Sequence, residues 1–321
     1  MALIVTAADV RRLMSLSDCI AAVEEAFRAH GEGRVEAGVL SAHGAGGVFH
    51  IKTAAIGRRF GAKANANFPS NPARRGLPAI QGLMLLFDSG DGRPLAVLDS
   101  IELTAMRTAA ATAVAAKYLA PQNATTVAIA GCGKQGRAQL EAIARVLPVK
   151  RALAFDVDCD RALQYAAEMS GRLRVPVTAR ESLEGIDAGV WITCTPSPTP
   201  FLHRSHVKPG AFVAAVGADN SSKSEIAPEL MAGSRVVTDV TDQCIEMGDL
   251  HHAIAAGAMT RDDVVAQLGE VIATNRNVRT TEADIVVFDS TGAGFEDAAA
   301  AALIYERARE AGCLDVQFGA T

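Results

Sequence analysis

The stretch Val127-Ala-Ile-Ala-Gly131-Cys-Gly133-Lys-Gln-Gly136 decides the fold of this chain of 321 residues. Its first four residues are apolar and predict a buried strand, and its glycines follow the spacing G-x-G-x-x-G where a predicted helix begins. Gly131 permits a tight turn, Gly133 lets the backbone approach a pyrophosphate, and Gly136 lets the helix pack closely on the strand. The N–H groups and the positive dipole end of that helix would face the phosphates. The stretch therefore predicts a dinucleotide-binding turn.

An acidic residue and a proline-rich loop extend this predicted site. Asp156 closes the next predicted strand, 20 residues after Gly136, and would accept hydrogen bonds from the adenosine ribose. Its charge would repel a 2′-phosphate and favours NAD over NADP, although Lys134 and Arg161 would weaken that repulsion. Thr195-Pro-Ser-Pro-Thr-Pro200 is either a rigid ligand-binding loop at the carboxyl edge of the sheet or a plain connection. The predicted cofactor residues are Gly131, Gly133, Lys134, Gln135, Gly136, Asp156, Thr195 and Thr108.

Around this turn, short apolar runs alternate with helical patterns. Uninterrupted apolar strands that are separated by helices predict a parallel sheet covered on both faces. The predicted fold class is therefore α/β, with a Rossmann-type parallel sheet, helices on both of its faces and a smaller α+β domain. The apolar runs are residues 127–130, 152–155, 190–193, 212–216, 236–238 and 285–288.

The rest of the chain mixes strands and helices. Ser17 is predicted to cap the first long helix. Residues 35–98 predict an antiparallel sheet, because they contain alternating segments that prolines and turn residues separate. Thr104 is predicted to cap an alanine-rich helix that reaches Leu119, and residues 296–312 predict one more amphipathic helix.

Composition argues against several classes of function. The net charge of −5 argues against nucleic acid as a partner, because phosphate binding requires clustered positive charge. No apolar run is long enough to span a membrane, and the apolar start of the chain lacks a basic leader. The six scattered cysteines are typical of free thiols in a reducing cytoplasm. No metal is expected, because the cysteines lack zinc-site spacing and the adjacent His251 and His252 point in different directions.

Further motifs keep one order along nearly the whole chain. The longest is Asp99-Ser-Ile-Glu-Leu-Thr-Ala-Met-Arg107-Thr-Ala-Ala-Ala-Thr-Ala-Val-Ala-Ala-Lys-Tyr-Leu119. The others are Gly61-Ala-Lys63, Asn67-Phe-Pro-Ser-Asn-Pro72, Gly76-Leu-Pro78, Gly217-Ala-Asp219 with Lys223 and Glu225, and Phe288-Asp-Ser-Thr-Gly292 with Glu296-Asp297. Through these motifs the sequence resembles the ornithine cyclodeaminase/μ-crystallin family.

The resemblance implies an NAD(P)-dependent enzyme that transfers hydride between nicotinamide C4 and the α-carbon of an amino acid or its imine. Family members include ornithine and lysine cyclodeaminases, alanine dehydrogenases and imine reductases. The resemblance also implies a homodimer whose interface is the sheet of the first domain. We expect a substrate-binding and dimerisation domain of residues 1–112 with 293–321, and an NAD-binding Rossmann domain of residues 113–292.

Four charged residues form the predicted substrate site. Arg107 would lie in the first turn after the Thr104 cap, where guanidinium and helix dipole both favour a carboxylate, and the matching family arginine holds the substrate α-carboxylate. Lys63 matches a family lysine that binds this carboxylate and takes part in proton transfer; desolvation beside another cation would lower its pKa. Asp219 matches the acid that faces the substrate nitrogen and stabilises an iminium, and Lys52 would add positive charge at the carboxylate.

Two departures from the family pattern leave the reaction open. Residues 35–40 lack the arginine that cyclodeaminase-like members carry there, and Ala79 stands where those members have a threonine. Both changes weaken a specific ornithine assignment and leave the substrate side chain undetermined. Three hypotheses follow: an imine reductase or amino-acid dehydrogenase, a cyclodeaminase that releases ammonia with catalytic NAD, and a non-catalytic dinucleotide-dependent binding protein.

Overall fold

The computed structural model describes residues 1–318 and divides into two compact units. Unit 1 combines Met1–Arg107 with the segment that begins at Ala293, and unit 2 comprises Thr108–Gly292. The boundary expected after residue 112 lies in the same helix, Ser100–Leu119, as the observed division after Arg107. That helix is continuous, so the sequence offers no break at which to place the division.

Residues 1–318 form fifteen strands and eleven α-helices. In chain order the strands are β1 (Ala2–Val5), β2 (Val35–Gly44), β3 (Gly47–Ile56), β4 (Arg59–Asn67), β5 (Ile80–Asp88), β6 (Pro94–Asp99), β7 (Thr126–Ala130), β8 (Arg151–Phe155), β9 (Val177–Arg180), β10 (Val190–Thr193), β11 (Phe212–Ala215), β12 (Arg235–Thr238), β13 (Val264–Gln267), β14 (Val286–Asp289) and β15 (Asp315–Val316). The helices are α1 (Ala7–Leu13), α2 (Leu16–Gly31), α3 (Asn71–Arg75), α4 (Ser100–Leu119), α5 (Lys134–Val146), α6 (Cys159–Leu173), α7 (Pro228–Ala232), α8 (Thr241–Met247), α9 (Asp249–Ala255), α10 (Leu268–Thr274) and α11 (Gly294–Glu310). None of these helices combines the length and the apolar content that a membrane span requires.

Unit 1 is built on a seven-stranded mixed sheet with the order β15-β1-β6-β5-β4-β3-β2. Strands β2 to β6 each pair antiparallel with the next, as the sequence predicted for residues 35–98. Strand β1 pairs parallel with β6 and antiparallel with β15, so both ends of the chain join this sheet. Helix α11 packs against α2 and against β3 and β4. The C-terminal helix therefore covers one face of a sheet that comes from the first third of the chain.

The two faces of this sheet differ in exposure, because successive side chains of a strand point to opposite faces. In β5, Met84 is fully buried, whereas the neighbouring Leu83 is 54% exposed. Leu83, Ala64, Ile51 and Leu40 lie opposite one another in adjacent strands and so share the exposed face. This face carries four large exposed apolar side chains, which we name the open apolar face: Leu40, Phe49, Leu83 and Leu85.

Two predicted helix caps were wrong. Helix α2 begins at Leu16, because the Ser15 hydroxyl accepts a hydrogen bond from the Asp18 amide, and Ser17 lies inside the helix. Helix α4 begins at Ser100 and not after Thr104. The Asp99 carboxylate accepts hydrogen bonds from the amides of residues 101 and 102, and an aspartate at this position caps a helix well.

Unit 2 contains an eight-stranded sheet in which every pairing is parallel, with the order β13-β12-β14-β11-β10-β7-β8-β9. The six apolar runs of the sequence correspond to β7, β8, β10, β11, β12 and β14. The sequence did not reveal the edge strands β9 and β13, which have four residues each and include polar side chains. Strand β7 lies between β8 and β10, so the order of strand addition reverses at β7. Ligands bind at the carboxyl ends of strands at such a reversal.

Candidate active site

The glycine-rich turn lies at the carboxyl end of β7 in unit 2. Gly131 has a φ of +107°, in the region that favours glycine, and its amide donates to the Phe155 carbonyl at 2.9 Å. A Cβ at Gly136 would lie 2.1 Å from the Gly131 carbonyl oxygen, so only glycine allows this contact between turn and helix. Gly133 is exposed, and a Cβ there would meet no atom within 4 Å. The backbone at the start of α5 is therefore accessible to a phosphate group.

Asp156 lies directly beside this turn, at the end of β8. Its Oδ2 accepts a hydrogen bond from the Cys132 amide at 2.9 Å, and its Oδ1 accepts one from the Asp158 amide at 3.0 Å. Arg161 Nη1 lies 3.3 Å from Oδ1. Each carboxylate oxygen has two lone pairs, so Asp156 keeps acceptor capacity for a ribose hydroxyl. The Cys132 amide therefore ties the turn directly to the acid.

The other predicted cofactor residues have separate positions. Lys134 and Gln135 form the first turn of α5. Thr195 follows β10, and a Cβ at Gly131 would lie 3.1 Å from its methyl group, so the two residues are neighbours. Thr108 lies within α4, where its carbonyl accepts a hydrogen bond from the Thr112 hydroxyl at 3.3 Å.

Asp219 lies in the turn that follows β11, the strand next to β10. Its side chain is 47% exposed, and its Oδ1 accepts a hydrogen bond from Lys223 Nζ at 2.6 Å. Glu225 is fully buried beneath this turn. Its carboxylate accepts hydrogen bonds from the Thr193 hydroxyl at 2.7 Å and from the Gly217 amide at 2.9 Å. Glu225 belongs to one of the motifs that resemble the family, but no role was predicted for it from the sequence.

A buried group of opposite charges lies in unit 1. Arg107 Nη1 donates to Glu296 Oε2 at 2.9 Å, and its Nε donates to Asp297 Oδ1 at 2.8 Å. Lys63 Nζ donates to the same Asp297 oxygen at 2.8 Å. Lys52 lies opposite Lys63 in the neighbouring strand and is 8% exposed. We name these five residues the charge cluster.

The charges of this cluster set one another's protonation. Burial and the charge of Arg107 lower the pKa of Lys63 to about 7, although Asp297 opposes this shift. Burial disfavours the charged form of Arg107, but Asp297 and Glu296 outweigh it and hold the pKa of Arg107 above its usual range. Burial likewise opposes ionisation of Asp297, whereas Arg107 and Lys63 keep its pKa below the usual value. At neutral pH, Lys63 is therefore poised to gain or lose a proton.

The structure corrects the predicted setting of Arg107. The residue lies about two turns inside α4, away from the helix start, so the helix dipole does not enhance its charge as predicted. Its environment is instead set by Glu296 and Asp297 of α11, to which the sequence assigned no role. Two consecutive acids in an otherwise alanine-rich helix were the signal that could have revealed them. Among residues 1–318, no group of three or more His, Cys, Asp or Glu side chains is arranged to hold a metal ion.

A groove of about 700 Å³ opens at the opposite, amino-terminal edge of the unit 2 sheet. Its lining includes Thr126, at the start of β7, and Gly189, just before β10. The carboxyl ends of the strands, where the glycine-rich turn lies, are at the other edge of the sheet. The residues that line this groove include none of the predicted cofactor or substrate residues. We therefore do not assign the groove to cofactor or substrate binding.

A match to a protein-family model tests the resemblance that the motifs indicated. The family model that matches residues 1–312 is that of the ornithine cyclodeaminase/mu-crystallin family. The chain belongs to this family. The alanine dehydrogenase of Archaeoglobus fulgidus is 34% identical to it over 308 residues, which are 95% of each protein.

Two solved structures of similar proteins contain nicotinamide dinucleotides. An archaeal alanine dehydrogenase dimer with bound NAD has a TM-score of 0.96 and 32% identity, covering 99% of both chains. The Δ1-pyrroline-2-carboxylate reductase of Thermococcus litoralis, in complex with NADH and L-proline, has a TM-score of 0.92 and 28% identity. That match covers 98% of this chain and 100% of the reductase. The predicted α/β class with a Rossmann-type sheet is confirmed.

Proposed function

We propose that this family member is a nicotinamide-dependent enzyme that transfers hydride to or from the α-carbon of an amino acid or its imine. The observation that carries the proposal is the grouping of buried cations in the charge cluster. Arg107 and Lys63 both donate to Asp297 Oδ1, at 2.8 Å each, and Lys52 lies opposite Lys63 in the neighbouring strand. Burying cations together costs free energy, and each anion that pairs with them offsets part of that cost. A substrate carboxylate is the anion that we assign.

The residues of unit 2 are proposed to hold the dinucleotide, which supplies or accepts the hydride when bound. The first turn of α5, at Gly133, Lys134 and Gln135, would donate N–H groups to the pyrophosphate. Asp156 would accept hydrogen bonds from the ribose, and its charge favours NAD over NADP. Thr195 and Thr108 are proposed as further cofactor contacts, a role that mutation of each hydroxyl can test.

The residues of the charge cluster are proposed to bind the substrate carboxylate and to move a proton. Arg107 offers a planar fork of donors that suits a carboxylate, and Lys63 and Lys52 add charge. A bound carboxylate would raise the pKa of Lys63 from about 7, so substrate binding and protonation would be coupled. Asp219 is proposed to stabilise the positive charge of an iminium, because a fixed anion lowers the barrier to its formation.

One panel of reactions tests this function. The protein is mixed with NADH and pyruvate plus ammonia or methylamine, then with cyclic imino acids, and the absorbance of NADH is followed. In parallel it is mixed with NAD and ornithine or lysine, and ammonia is assayed. We expect NADH consumption in the first set. Ammonia without accumulation of NADH would assign a cyclodeaminase, and tight cofactor binding without turnover would assign a binding protein.

The open apolar face supports a second proposal, that the enzyme is a homodimer through the sheet of unit 1. Leu40 is 61% and Leu83 is 54% exposed on that face, and exposed apolar patches mark interaction surfaces. The archaeal alanine dehydrogenase of similar structure is a dimer. We expect light scattering after gel filtration to give twice the chain mass for the wild type and the chain mass for Leu83→Glu. Leu163→Glu, at a leucine of α6 that is 60% exposed in unit 2, is the matched control and should stay dimeric.

The cytoplasm is proposed as the compartment. All six cysteines, from Cys19 to Cys313, are free thiols in the structure, and reducing compartments maintain this state. Thiol titration of the protein in freshly opened cells should count six free thiols after denaturation. A count of four or fewer would contradict the proposal.

A further inference from the structure

The loop of residues 195–200 is bound at both of its ends to a single residue, Glu225. At the beginning of the loop, the amide and the hydroxyl of Thr195 both donate to Glu225 Oε1, the hydroxyl at 2.7 Å. At its end, the amides of Phe201 and Leu202 donate to the backbone carbonyl of Glu225, each at 3.0 Å. The prolines of the loop restrict its backbone further, because each fixes one dihedral angle. Glu225 thus fixes both ends of residues 195–200, which we name the cofactor loop because Thr195 is a proposed cofactor residue.

The second oxygen of Glu225 connects the end of β10 with the turn that follows β11. Glu225 Oε2 accepts hydrogen bonds from Thr193, the last residue of β10, and from the amide of Gly217. Gly217 begins the turn that carries Asp219. A Cβ at Gly217 would lie 2.5 Å from the carboxylate atoms of Glu225, so a glycine is required for this approach. The carboxylate therefore bridges the cofactor loop and the turn of the proposed catalytic acid.

Glu225 is itself fixed from below. The amides of Glu225 and Ile226 donate to Asp249 Oδ1 at 2.7 and 3.0 Å, and Leu202 and Ile226 form a parallel bridge. Burial and the nearby charge of Asp249 raise the pKa of Glu225 to about 7. Burying a carboxylate at this position costs free energy, and an apolar side chain would fill the same space at a lower cost. The carboxylate accepts four hydrogen bonds that offset this cost: two from Thr195, one from Thr193 of β10 and one from Gly217.

We propose that Glu225 is a positioning residue, whose carboxylate sets the cofactor loop and the Asp219 turn in one fixed arrangement. The effect on turnover rests on the proposed function, whereas the arrangement of the loops is measurable without substrate. Glu225 does not touch the reacting atoms in this account. It acts through Thr195 on the dinucleotide and through Gly217 on Asp219.

The test uses Glu225→Gln in the full-length protein. Glutamine keeps the shape but retains only one acceptor oxygen, so its NH₂ group faces two donors and one loop is released. We expect the amide of Thr195 or of Gly217 to exchange hydrogen about tenfold faster or more, as measured by mass spectrometry of peptides. NADH affinity by fluorescence titration should fall about threefold to tenfold, and kcat should fall about tenfold. The substrate KM should change little, because the charge cluster is intact.

Two further variants separate positioning from stability. Gly217→Ala displaces the same carboxylate from the opposite side, and we expect it to reproduce the pattern of Glu225→Gln. Val271→Ala removes buried apolar volume from α10, which packs against the edge strand β13, and serves as the control for loss of stability. It should lower Tm while it leaves loop exchange, NADH affinity and kcat within about twofold of the wild type.

The outcomes are distinguishable. If folded Glu225→Gln and Gly217→Ala keep wild-type exchange at both loops and wild-type NADH affinity, the positioning role is overturned. If Val271→Ala changes these quantities equally, Glu225 is merely structural and the proposal is also overturned. If the wild type turns over no substrate of the panel while the exchange and affinity changes occur, the proposed function fails and the positioning role stands.

Discussion

The glycine-rich turn of unit 2 and the charge cluster of unit 1 are two proposed binding regions that are built in opposite ways. The turn comes from residues 131–136 with Asp156, and backbone geometry holds it. The cluster comes from β3, β4, α4 and α11, and opposite charges hold it across 234 positions between Lys63 and Asp297. Backbone sites tolerate changes of side-chain charge, whereas buried charge clusters depend on every partner. Substitutions should therefore affect the two regions through different quantities.

Arg107→Met should have the largest effect on stability. The change removes the guanidinium that pairs with Glu296 at 2.9 Å and with Asp297 at 2.8 Å, so the free energy of unfolding should fall by about 3–5 kcal/mol. Denaturant titration measures the loss, and substrate turnover should disappear while NADH affinity stays near the wild-type value. The double variant Arg107→Met with Glu296→Gln should recover part of the stability and none of the turnover. A single variant as stable as the wild type would remove the contrast between the two regions.

Gly136→Ala tests the backbone region by geometry alone. Its Cβ would lie 2.1 Å from the Gly131 carbonyl, so α5 must move away from β7. Overpacking of this kind costs about 1–3 kcal/mol, and we expect NADH affinity to fall about fivefold to a hundredfold. Gly171→Ala in α6 is the matched control, because a Cβ there meets no atom within 4 Å. That control should keep NADH affinity and gain about 0.5–1 kcal/mol of stability.

Lys63 predicts a pH dependence that belongs to the charge cluster. Its pKa falls from 10.5 to about 7 on folding, because burial and Arg107 disfavour its charged form. Between these values the unfolded chain binds a proton that the folded chain does not, so this contribution to stability grows as pH rises from about 7 towards 10.5. It is lost as pH falls through about 7.

The difference in unfolding free energy between wild type and Lys63→Met reports this contribution. We expect the difference to increase by about 2 kcal/mol between about pH 7 and about pH 9. The exposed Lys208→Met in unit 2 should show no such trend. A difference that stays flat with pH would mean that Lys63 keeps its charge in the folded protein.

Asp156 should produce the smallest effect, confined to the choice of cofactor. Asp156→Ala should weaken NADH binding about tenfold and reduce the preference for NADH over NADPH, because the repulsion of a 2′-phosphate is lost. Arg161→Ala removes a 52% exposed cation and should weaken NADPH more than NADH. Titration of each variant with both cofactors decides the matter. Equal losses for NADH and NADPH in Asp156→Ala would show that the residue only supports the turn through Cys132.

The contrast also explains what the sequence could predict. The glycine spacing, the apolar strands and Asp156 lie close together along the chain, and local patterns specify local backbone geometry. Lys63 and Arg107 were recognised only through family motifs. That Glu296 and Asp297 form ion pairs with them was not predicted. Residues that are distant along the chain and meet only after folding produce no periodic pattern in the sequence. Edge strands β9 and β13 escaped because four residues with polar members carry too little pattern.

The misplaced start of α4 has the same origin. Thr104 and Asp99 are both acceptable caps, and propensity alone does not choose between them. The structure decides for Asp99, whose carboxylate meets two amides of the first turn. This choice moves Arg107 from a helix end into the interior, where carboxylates of α11 and not a helix dipole determine its chemistry.

The most direct measurement is the single-turnover oxidation of enzyme-bound NADH. Enzyme saturated with NADH is mixed with the best imine of the panel and, separately, with the same imine lacking its carboxylate. We expect bound NADH to be oxidised rapidly by the first compound, at least about a hundredfold more slowly by the second, and by neither in Arg107→Met. Equal rates for both imines, or an undiminished rate in the variant, would contradict the assignment of the charge cluster to the substrate carboxylate.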